Sequence, residues 1–130
     1  MTVSLTEFTF KKQEKLCSTK QLNLLFEKGK GFYQTPLRLI YLETNQPQIF
    51  PVQIVITVSK RNFKKAVDRN RIKRLIRENY RLNKAILYQH LQQKNKKIFI
   101  GIIYTGKEMP EFDNIKSALL KGIEKLIQSV

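Results

Sequence analysis

The sequence predicts an α+β fold: a two-layer sandwich in which a single, mostly antiparallel four-stranded sheet packs against helices in the order αβββαβα. Short segments rich in β-branched residues alternate apolar with polar positions, whereas longer segments repeat apolar residues every three or four positions. The length of 130 residues and the 42% hydrophobic fraction suit one folded domain. We therefore expect one domain over residues 1–130, with 1–12 as a flexible or partly extended N-terminal segment.

The first helix is predicted to begin at Ser18, since a Ser-x-x-Gln spacing has the form of a capping box. Leu22, Leu25 and Phe26 then follow at helical spacing, and Gly29 is a natural stop.

Three strands are predicted, at 37–42, 52–59 and 98–104, and the fourth is either 8–10 or 31–33. The 52–59 segment has one fully apolar face and one mixed face. We therefore expect helices on one side of the sheet only, which leaves the opposite face free.

Two longer helices are predicted at 67–91 and 112–127. One side of the first is mostly apolar, with Ile72, Leu75, Ile76, Asn79 and Tyr80. Its opposite side carries Asn70, Lys73, Arg74, Arg77 and Arg81. The C-terminal helix is expected to pack inward through Ile115, Leu119, Ile123, Leu126 and Ile127.

The charge distribution predicts a polyanionic partner. The formal net charge is +15 and the pI is near 10.1, and between residues 60 and 84 eleven Lys and Arg against two acids leave +9. Surface helices usually mix signs in i,i+4 pairs, so an unbalanced row of cations indicates nucleic acid, with acidic membrane as the competitor. No run approaches the roughly 18 apolar residues of a membrane span. Without a secretory signal, we expect a cytoplasmic protein without a membrane partner.

The residues needed for protein-based catalysis are missing from the pattern. The ten acids are scattered, and one cysteine and one histidine do not make a zinc site. Cys17 is expected to be a small buried or half-buried residue. We therefore predict no catalytic residue, no metal ligand and no cofactor bound by the protein alone.

One segment resembles a known family signature. It runs Val58-Ser59-Lys60 and then Ala66-Val67-x-Arg69-Asn70-Arg71-x-Lys73-Arg74-x-x-Arg77-Glu78. This is similar to the signature of the bacterial ribonuclease P protein component, whose Arg-Asn-Arg motif is matched in full. The order of the other elements also agrees, so the resemblance covers roughly residues 10–128.

The resemblance implies a function. Proteins of this family are the small subunit of a ribonucleoprotein endonuclease that removes the 5′ leader from precursor tRNA. The RNA subunit is the catalyst and holds Mg²⁺, so the implied partners are that RNA and precursor tRNA. It also implies a left-handed β-α-β crossover, an exception to the usual hand. The RNA-binding residues are then expected to be Lys60, Arg61, Arg69, Asn70, Arg71, Lys73, Arg74, Arg77 and Arg81. The self-association of the protein is left open.

The family further implies a cleft for the single-stranded leader, between the first helix and the open sheet face. The family usually has an aromatic residue where this chain has Leu22, and its loop before the motif often contains a glycine where this chain has a longer 62–65 segment. Aromatic side chains stack on bases, but most of the thirteen Phe and Tyr are expected in the core. Phe26 suits either place. The candidate cleft residues are Phe10, Leu22, Phe26, Phe32 and Tyr33.

Three alternatives compete with this interpretation. The strongest is a ribosomal or other structural RNA-binding protein, which would share the charge and the size but not the Arg-Asn-Arg helix. A helix-turn-helix DNA-binding protein needs a second helix three or four residues away from the cationic one, and none is predicted. A self-sufficient nuclease needs a carboxylate cluster for metal.

Overall fold

The computed structural model describes residues 11–45, 48 and 50–130, which form one four-stranded sheet with helices on both faces. After a 3₁₀ turn at Lys12–Glu14, the elements are α1 Thr19–Lys28, β1 Lys30–Gln34, β2 Leu37–Thr44, β3 Val52–Val58, α2 Ala66–Asn83, α3 Ala85–Gln93, β4 Lys97–Tyr104 and α4 Phe112–Ser129. The 3₁₀ turn overlaps the N-terminal segment predicted at 1–12 only at Lys12. Residues 1–10 of that segment lie outside the described residues. No helix in that part is long and apolar enough to cross a membrane.

The sheet is mixed, with the strand order β1-β2-β4-β3. β2 pairs antiparallel with both β1 and β4, whereas β3 pairs parallel with β4. The α+β class and the four strands are confirmed, with one parallel pair among three. Of the two options for the fourth strand, 31–33 is the strand, and 8–10 lies outside the described residues. A β-α-β unit is formed by β3, α2, α3 and β4. The left-handedness of its crossover stays a prediction.

The main core lies between one face of the sheet and the helices α2, α3 and α4. Alternate strand residues point into it, as the 52–59 pattern predicts, and Ile54, Ile100 and Leu39 are almost fully buried. On the helix side, Ile72, Ile76 and Tyr80 of α2 are buried. α4 buries Ile115, Ala118, Leu119, Gly122, Ile123 and Leu126, which confirms its predicted apolar face apart from the half-buried Ile127.

The opposite face of the sheet is partly covered, so the expectation of helices on one side only is wrong. α1 lies there and buries Leu25 against Ile40 and Phe99, with Leu16 from the segment before the helix. The mixed face of β3 suggested an open surface because its Gln53 and Thr57 are polar, but β2 and β4 supply enough apolar area to hold one short helix. What stays open is the part of this face beyond α1.

The helix predicted at 67–91 is two helices, α2 and α3, which meet at Lys84. Lys84 is fully buried, and its Nζ donates to Oε2 of the equally buried Glu14 at 2.5 Å. The ion pair lies where the two helices meet, and Glu14 supplies the partner that a buried ammonium needs. Periodicity could not show the break, since the partner lies 70 residues away.

Both ends of α1 are set by local chemistry. Ser18 Oγ accepts from the N–H of Gln21 at 3.4 Å, which confirms the predicted start. Gly29 ends the helix as predicted, but with φ of −69° it is not a left-handed cap. An added Cβ there would lie 2.5 Å from Ile40 Cγ2, so glycine lets the chain pass close to β2. Cys17, directly before Ser18, is exposed, which corrects its predicted burial. Leu16 takes the inward position instead.

Candidate nucleic-acid interface

The cations of α2 lie on the side of the helix opposite its buried stripe. Asn70, Arg71, Arg74 and Arg77 are exposed, and Lys73 is half-buried. Ile72 and Ile76 anchor the helix on the sheet, so this row is fixed relative to the strands. Lys60 and Arg61 are exposed in the 59–65 loop that precedes α2. The predicted RNA-binding residues thus lie on α2 and on the loop that precedes it, and two of them make contacts within the protein.

Arg81 is one of these two. Its guanidinium forms an ion pair with Glu78 one helical turn earlier. The hydrogen bond from Arg81 lowers the pKa of Glu78, and the same bond raises the pKa of Arg81. The pair removes most of the local positive charge at this end of the row.

Arg69, the other one, points back along the chain. Its Nη1 donates to the carbonyl oxygens of Phe63 and Lys64, each at 2.9 Å. The first arginine of the Arg-Asn-Arg motif is therefore bound to the loop in front of α2, whereas Asn70 and Arg71 are exposed.

A notch of about 220 Å³ lies at the edge of the sheet, between β3, α2 and the segment before α1. Three cations surround it, Lys15, Lys73 and Arg77, and no acid lines it. The floor is apolar and is formed by Leu16, Cys17, Ile54, Val55 and Ile56. A cationic rim over an apolar floor suits a phosphate with an attached base or sugar.

Lys15 reaches the notch because the segment before α1 is pinned on both sides. The N–H of Leu16 donates to Ile54 O of β3 at 2.8 Å. Two residues earlier, Glu14 Oε2 accepts from Lys84 Nζ and from the Tyr88 hydroxyl, both at 2.5 Å, and its Oε1 accepts from the N–H of Lys11 at 2.9 Å. All the oxygens of this buried carboxylate are therefore satisfied.

The environment of this ion pair is strongly desolvated. Burial lowers the pKa of Lys84, although Glu14 opposes the shift. Burial also raises the pKa values of Tyr80 and Tyr88 well above the usual range for tyrosine. The Tyr80 hydroxyl donates to Tyr88 at 3.1 Å, which extends the network into the core. Sequence reasoning missed this network, because no local pattern links residues so far apart.

A second surface lies on the sheet face beside α1. The strand register places Tyr33, Arg38, Ile103 and Thr57 in one row across all four strands, on the same face as Ile40. Tyr33 is 65% exposed, and the Arg38 guanidinium lies 5.7 Å from its ring centroid. An aromatic ring with a neighbouring guanidinium is a surface on which a base can stack.

Phe26 borders this row. It is 46% exposed, although it follows the fully buried Leu25. A Cβ added at Gly101 would lie 3.7 Å from both Phe26 Cζ and Val55 Cγ1, so the ring tip lies over β4 beside β3. Val55 also lines the notch, and it therefore connects the aromatic surface with the three cations.

The structure separates the other predicted cleft residues. Leu22 is half-buried against the small core under α1. Phe32 packs against the main core on the opposite face, where Lys125 Nζ lies 4.9 Å from its ring centroid. It is therefore not beside Phe26 and Tyr33, because neighbouring strand residues point to opposite faces. Phe10 lies outside the described residues. Lys15 and Arg38 were not predicted as site residues. The register of β2 places Arg38 beside Tyr33, and the attachment of the segment before α1 to β3 places Lys15 at the notch.

The part of the chain that the structure describes contains no group of three or more His, Cys, Asp or Glu that could hold a metal ion. The notch offers the ammonium groups of Lys15 and Lys73, the guanidinium of Arg77 and the single thiol of Cys17, and no carboxylate lines it. The donor set of this interface therefore fits an anion.

Comparison of the sequence with known proteins gives the family that the motif resembles. The sequence profile of the Ribonuclease P family matches residues 10–127. The ribonuclease P protein component of Porphyromonas gingivalis (strain W83) is 33% identical over 123 residues, which are 95% of this chain and 90% of the relative. That of Chlorobaculum tepidum is 31% identical over 114 residues, 81% of this chain and 74% of the relative.

Two solved structures share the fold. The RNase P protein of Staphylococcus aureus aligns with a TM-score of 0.67 at 22% identity, over 87% of this chain and 94% of that chain. The RNase P protein of Thermotoga maritima aligns with a TM-score of 0.67 at 23% identity, over 86% and 96%.

Proposed function

The chain belongs to the ribonuclease P protein family, and from this membership we propose that its two surfaces divide the work of binding RNA. Its role is that of the protein subunit of ribonuclease P, an RNA-binding protein of tRNA processing that associates with an RNA subunit. We propose that the outward row of α2 and the 59–65 loop contact the RNA subunit. Lys73 and Arg77 belong both to this row and to the notch rim, and they form the border between the two surfaces. The aromatic row beside α1, together with the notch, then binds the single-stranded 5′ leader of precursor tRNA.

One observation carries this division. Val55 joins the exposed Phe26 to a notch whose rim is Lys15, Lys73 and Arg77. Single-stranded RNA needs aromatic faces for its bases and cations for its backbone, and here both lie side by side on one rigid sheet. The family membership excludes the ribosomal alternative considered from the sequence.

We assign the chemistry of leader removal, and the Mg²⁺ that it uses, to the RNA subunit. What supports this is the character of the interface, where side chains bind and orient an anion and offer no carboxylate cluster. The protein residues would hold the leader and so raise substrate affinity. We also propose that the protein acts as one domain in the cytoplasm.

Reconstitution tests the proposal. The protein is mixed with a candidate RNA subunit and labelled precursor tRNA at low Mg²⁺, where RNA–RNA repulsion is least screened. Leader release should require the RNA and be increased by the protein, and the increase should be larger for a substrate with a long leader than for one with a single-nucleotide leader. An equal increase for both substrates would contradict leader binding and favour a structural role.

A further inference from the structure

Arg69 is half-buried, and it differs from the exposed Arg71 of the same motif in what its side chain contacts. Its Nη1 uses both of its protons on successive backbone carbonyls, those of Phe63 and Lys64. These carbonyls belong to the 59–65 loop, because α2 begins only at Ala66. The N-cap residue Lys65 makes no side-chain cap, so the turn into the helix is held from inside the helix by Arg69.

The loop that Arg69 holds is itself strongly charged. It carries four exposed cations and no acid: Lys60, Arg61, Lys64 and Lys65. Like charges this close in sequence repel one another, so the loop alone would favour spread conformations. A bond network to its backbone counters this repulsion without neutralising the charges that point outward.

The rest of the loop is anchored near its centre. Phe63 is buried, with its ring centroid 5.9 Å from that of Tyr104, and its N–H donates to Ser59 O at 3.1 Å. Asn62 Nδ2 donates to Gly106 O at 3.4 Å. Arg69 adds the attachment on the helix side, and charge-assisted bonds of this type are stronger than neutral ones.

We propose that Arg69 is a positioning residue: it fixes the 59–65 loop against the start of α2, so that the loop cations and Asn70, Arg71 and Arg74 form one preorganised surface for the RNA subunit. Arg69 acts through the loop and makes no phosphate contact of its own. This inference rests on the proposed function, since it concerns how that surface is assembled. It assigns the two arginines of the motif different tasks.

Arg69→Met tests it, with Arg71→Met as the matched control. Each variant removes one positive charge from the same motif and keeps a good helix former. In the free protein, amide hydrogen exchange in the 59–65 loop should speed up in Arg69→Met and stay unchanged in Arg71→Met. A salt titration of binding to the RNA subunit should then separate the two roles.

For Arg71→Met the salt slope should fall by about one, as expected for one lost phosphate contact. For Arg69→Met the slope should stay within roughly half a unit while affinity falls about tenfold, because the loop must be ordered during binding. Arg69→Lys should recover only part of this loss, since a point charge replaces the guanidinium fork. If Arg69→Met fails to fold, the binding of Arg69→Lys still tests the proposal.

Unchanged loop exchange in Arg69→Met, a slope that falls by about one, or full recovery of binding by Arg69→Lys would each overturn the positioning role and indicate a direct phosphate contact. These results differ from a failure of the proposed function. In that case the unmodified protein would show no salt-dependent binding to the RNA subunit at all.

Discussion

At the scale of single residues, exposure separates neighbours with similar chemistry. Leu25 and Phe26 are consecutive in α1, yet the first is fully buried and the second is 46% exposed. The same holds for Phe32 and Tyr33 in β1, which point to opposite faces of the sheet. Apolar or aromatic character alone therefore identifies neither a core residue nor a binding residue in this chain.

Phe26→Ala should weaken binding of the leader and leave the fold intact. Base stacking on an aromatic ring contributes roughly 1–3 kcal/mol, so affinity of the reconstituted enzyme for a long-leader substrate should fall about tenfold. Affinity for a leaderless substrate should not change. Leu24→Ala is the control, because Leu24 is also exposed on α1, at 38%. Equal losses for both substrates, or a large fall in thermal stability, would place Phe26 in the core.

Tyr80→Phe should make stability less sensitive to alkaline pH. Burial raises the pKa of Tyr80 far above the usual value of 10.0, so its hydroxyl stays neutral in the folded state. Its contribution is fully present below about pH 10 and is lost as pH rises further, because only the unfolded chain ionises there. The decline above pH 10 should be shallower in Tyr80→Phe by about 1.4 kcal/mol per pH unit.

Urea unfolding between pH 9 and 11.5 measures this difference. The lowered pKa of Lys84 acts in the opposite direction, but it is present in both proteins and cancels in the comparison. Parallel curves would show that the Tyr80 hydroxyl ionises equally in the folded and unfolded states. At neutral pH the lost bond to Tyr88 should reduce stability by about 1 kcal/mol.

At the scale of elements, α2 has two functions on opposite sides. Its apolar stripe packs on β3 and α4, and its cationic row lies on the opposite, solvent-facing side. Like-charged residues at i,i+4 destabilise an isolated helix by a few tenths of a kcal/mol per pair, so burial of the stripe must offset this repulsion. The element exists because the tertiary structure stabilises it.

Arg74→Ala combined with Arg77→Ala should weaken binding to the RNA subunit. The salt slope should fall by about one for each lost phosphate contact, and stability should change little, because both side chains are exposed. Lys116→Ala combined with Lys121→Ala is the control, since it removes the same charge from exposed positions of α4. Equal effects from the two pairs would mean that net charge, and not the α2 surface, determines binding.

The ion pair between Glu14 and Lys84 joins three elements: the 3₁₀ turn, α2 and α3. Glu14→Gln should reduce stability by about 3–5 kcal/mol, because it leaves a buried ammonium without its counter-charge. Glu43→Gln is the control, since it removes the exposed pair with Lys96 at 3.2 Å and should cost less than about 1 kcal/mol. Denaturant unfolding of both variants measures the difference. Similar small losses would show that the buried network is dispensable.

At the scale of the whole molecule, the sheet brings two kinds of side chain into one place. α2 at the β3 edge supplies cations, and α1 and β1 supply exposed rings. The segment before α1 then adds Lys15 to the same edge. The surface therefore depends on the complete domain and not on the Arg-Asn-Arg helix alone.

The protein by itself should not cleave RNA, because its interface offers binding groups and no paired carboxylates. The test incubates protein that has been freed of RNA with labelled precursor tRNA and Mg²⁺, and adds the RNA subunit to a parallel sample. Cleavage at the 5′ leader should appear only in the parallel sample. Specific cleavage by the RNA-free protein would contradict the assignment of the chemistry to the RNA subunit.

The sequence by itself determined the features that depend on short-range patterns. The three predicted strands, the start of α1, the buried stripe of α2 and the inward face of α4 follow from periodicity and capping, which act over a few residues. The charge and the Arg-Asn-Arg motif likewise indicated the family and the polyanionic partner. In contrast, the sequence prediction kept α2 and α3 as one helix and left one sheet face uncovered.

Only the tertiary structure decided which residues share a site. The pairing of β3 with β4, the burial of Glu14 with Lys84 and the row from Tyr33 to Thr57 join positions that are far apart in sequence. These contacts form because apolar surface is buried and buried charges are paired by residues that are distant in sequence. Patterns over a few residues do not predict which distant residues these are. For the same reason Phe32 faces the core, and Arg69 binds its own loop.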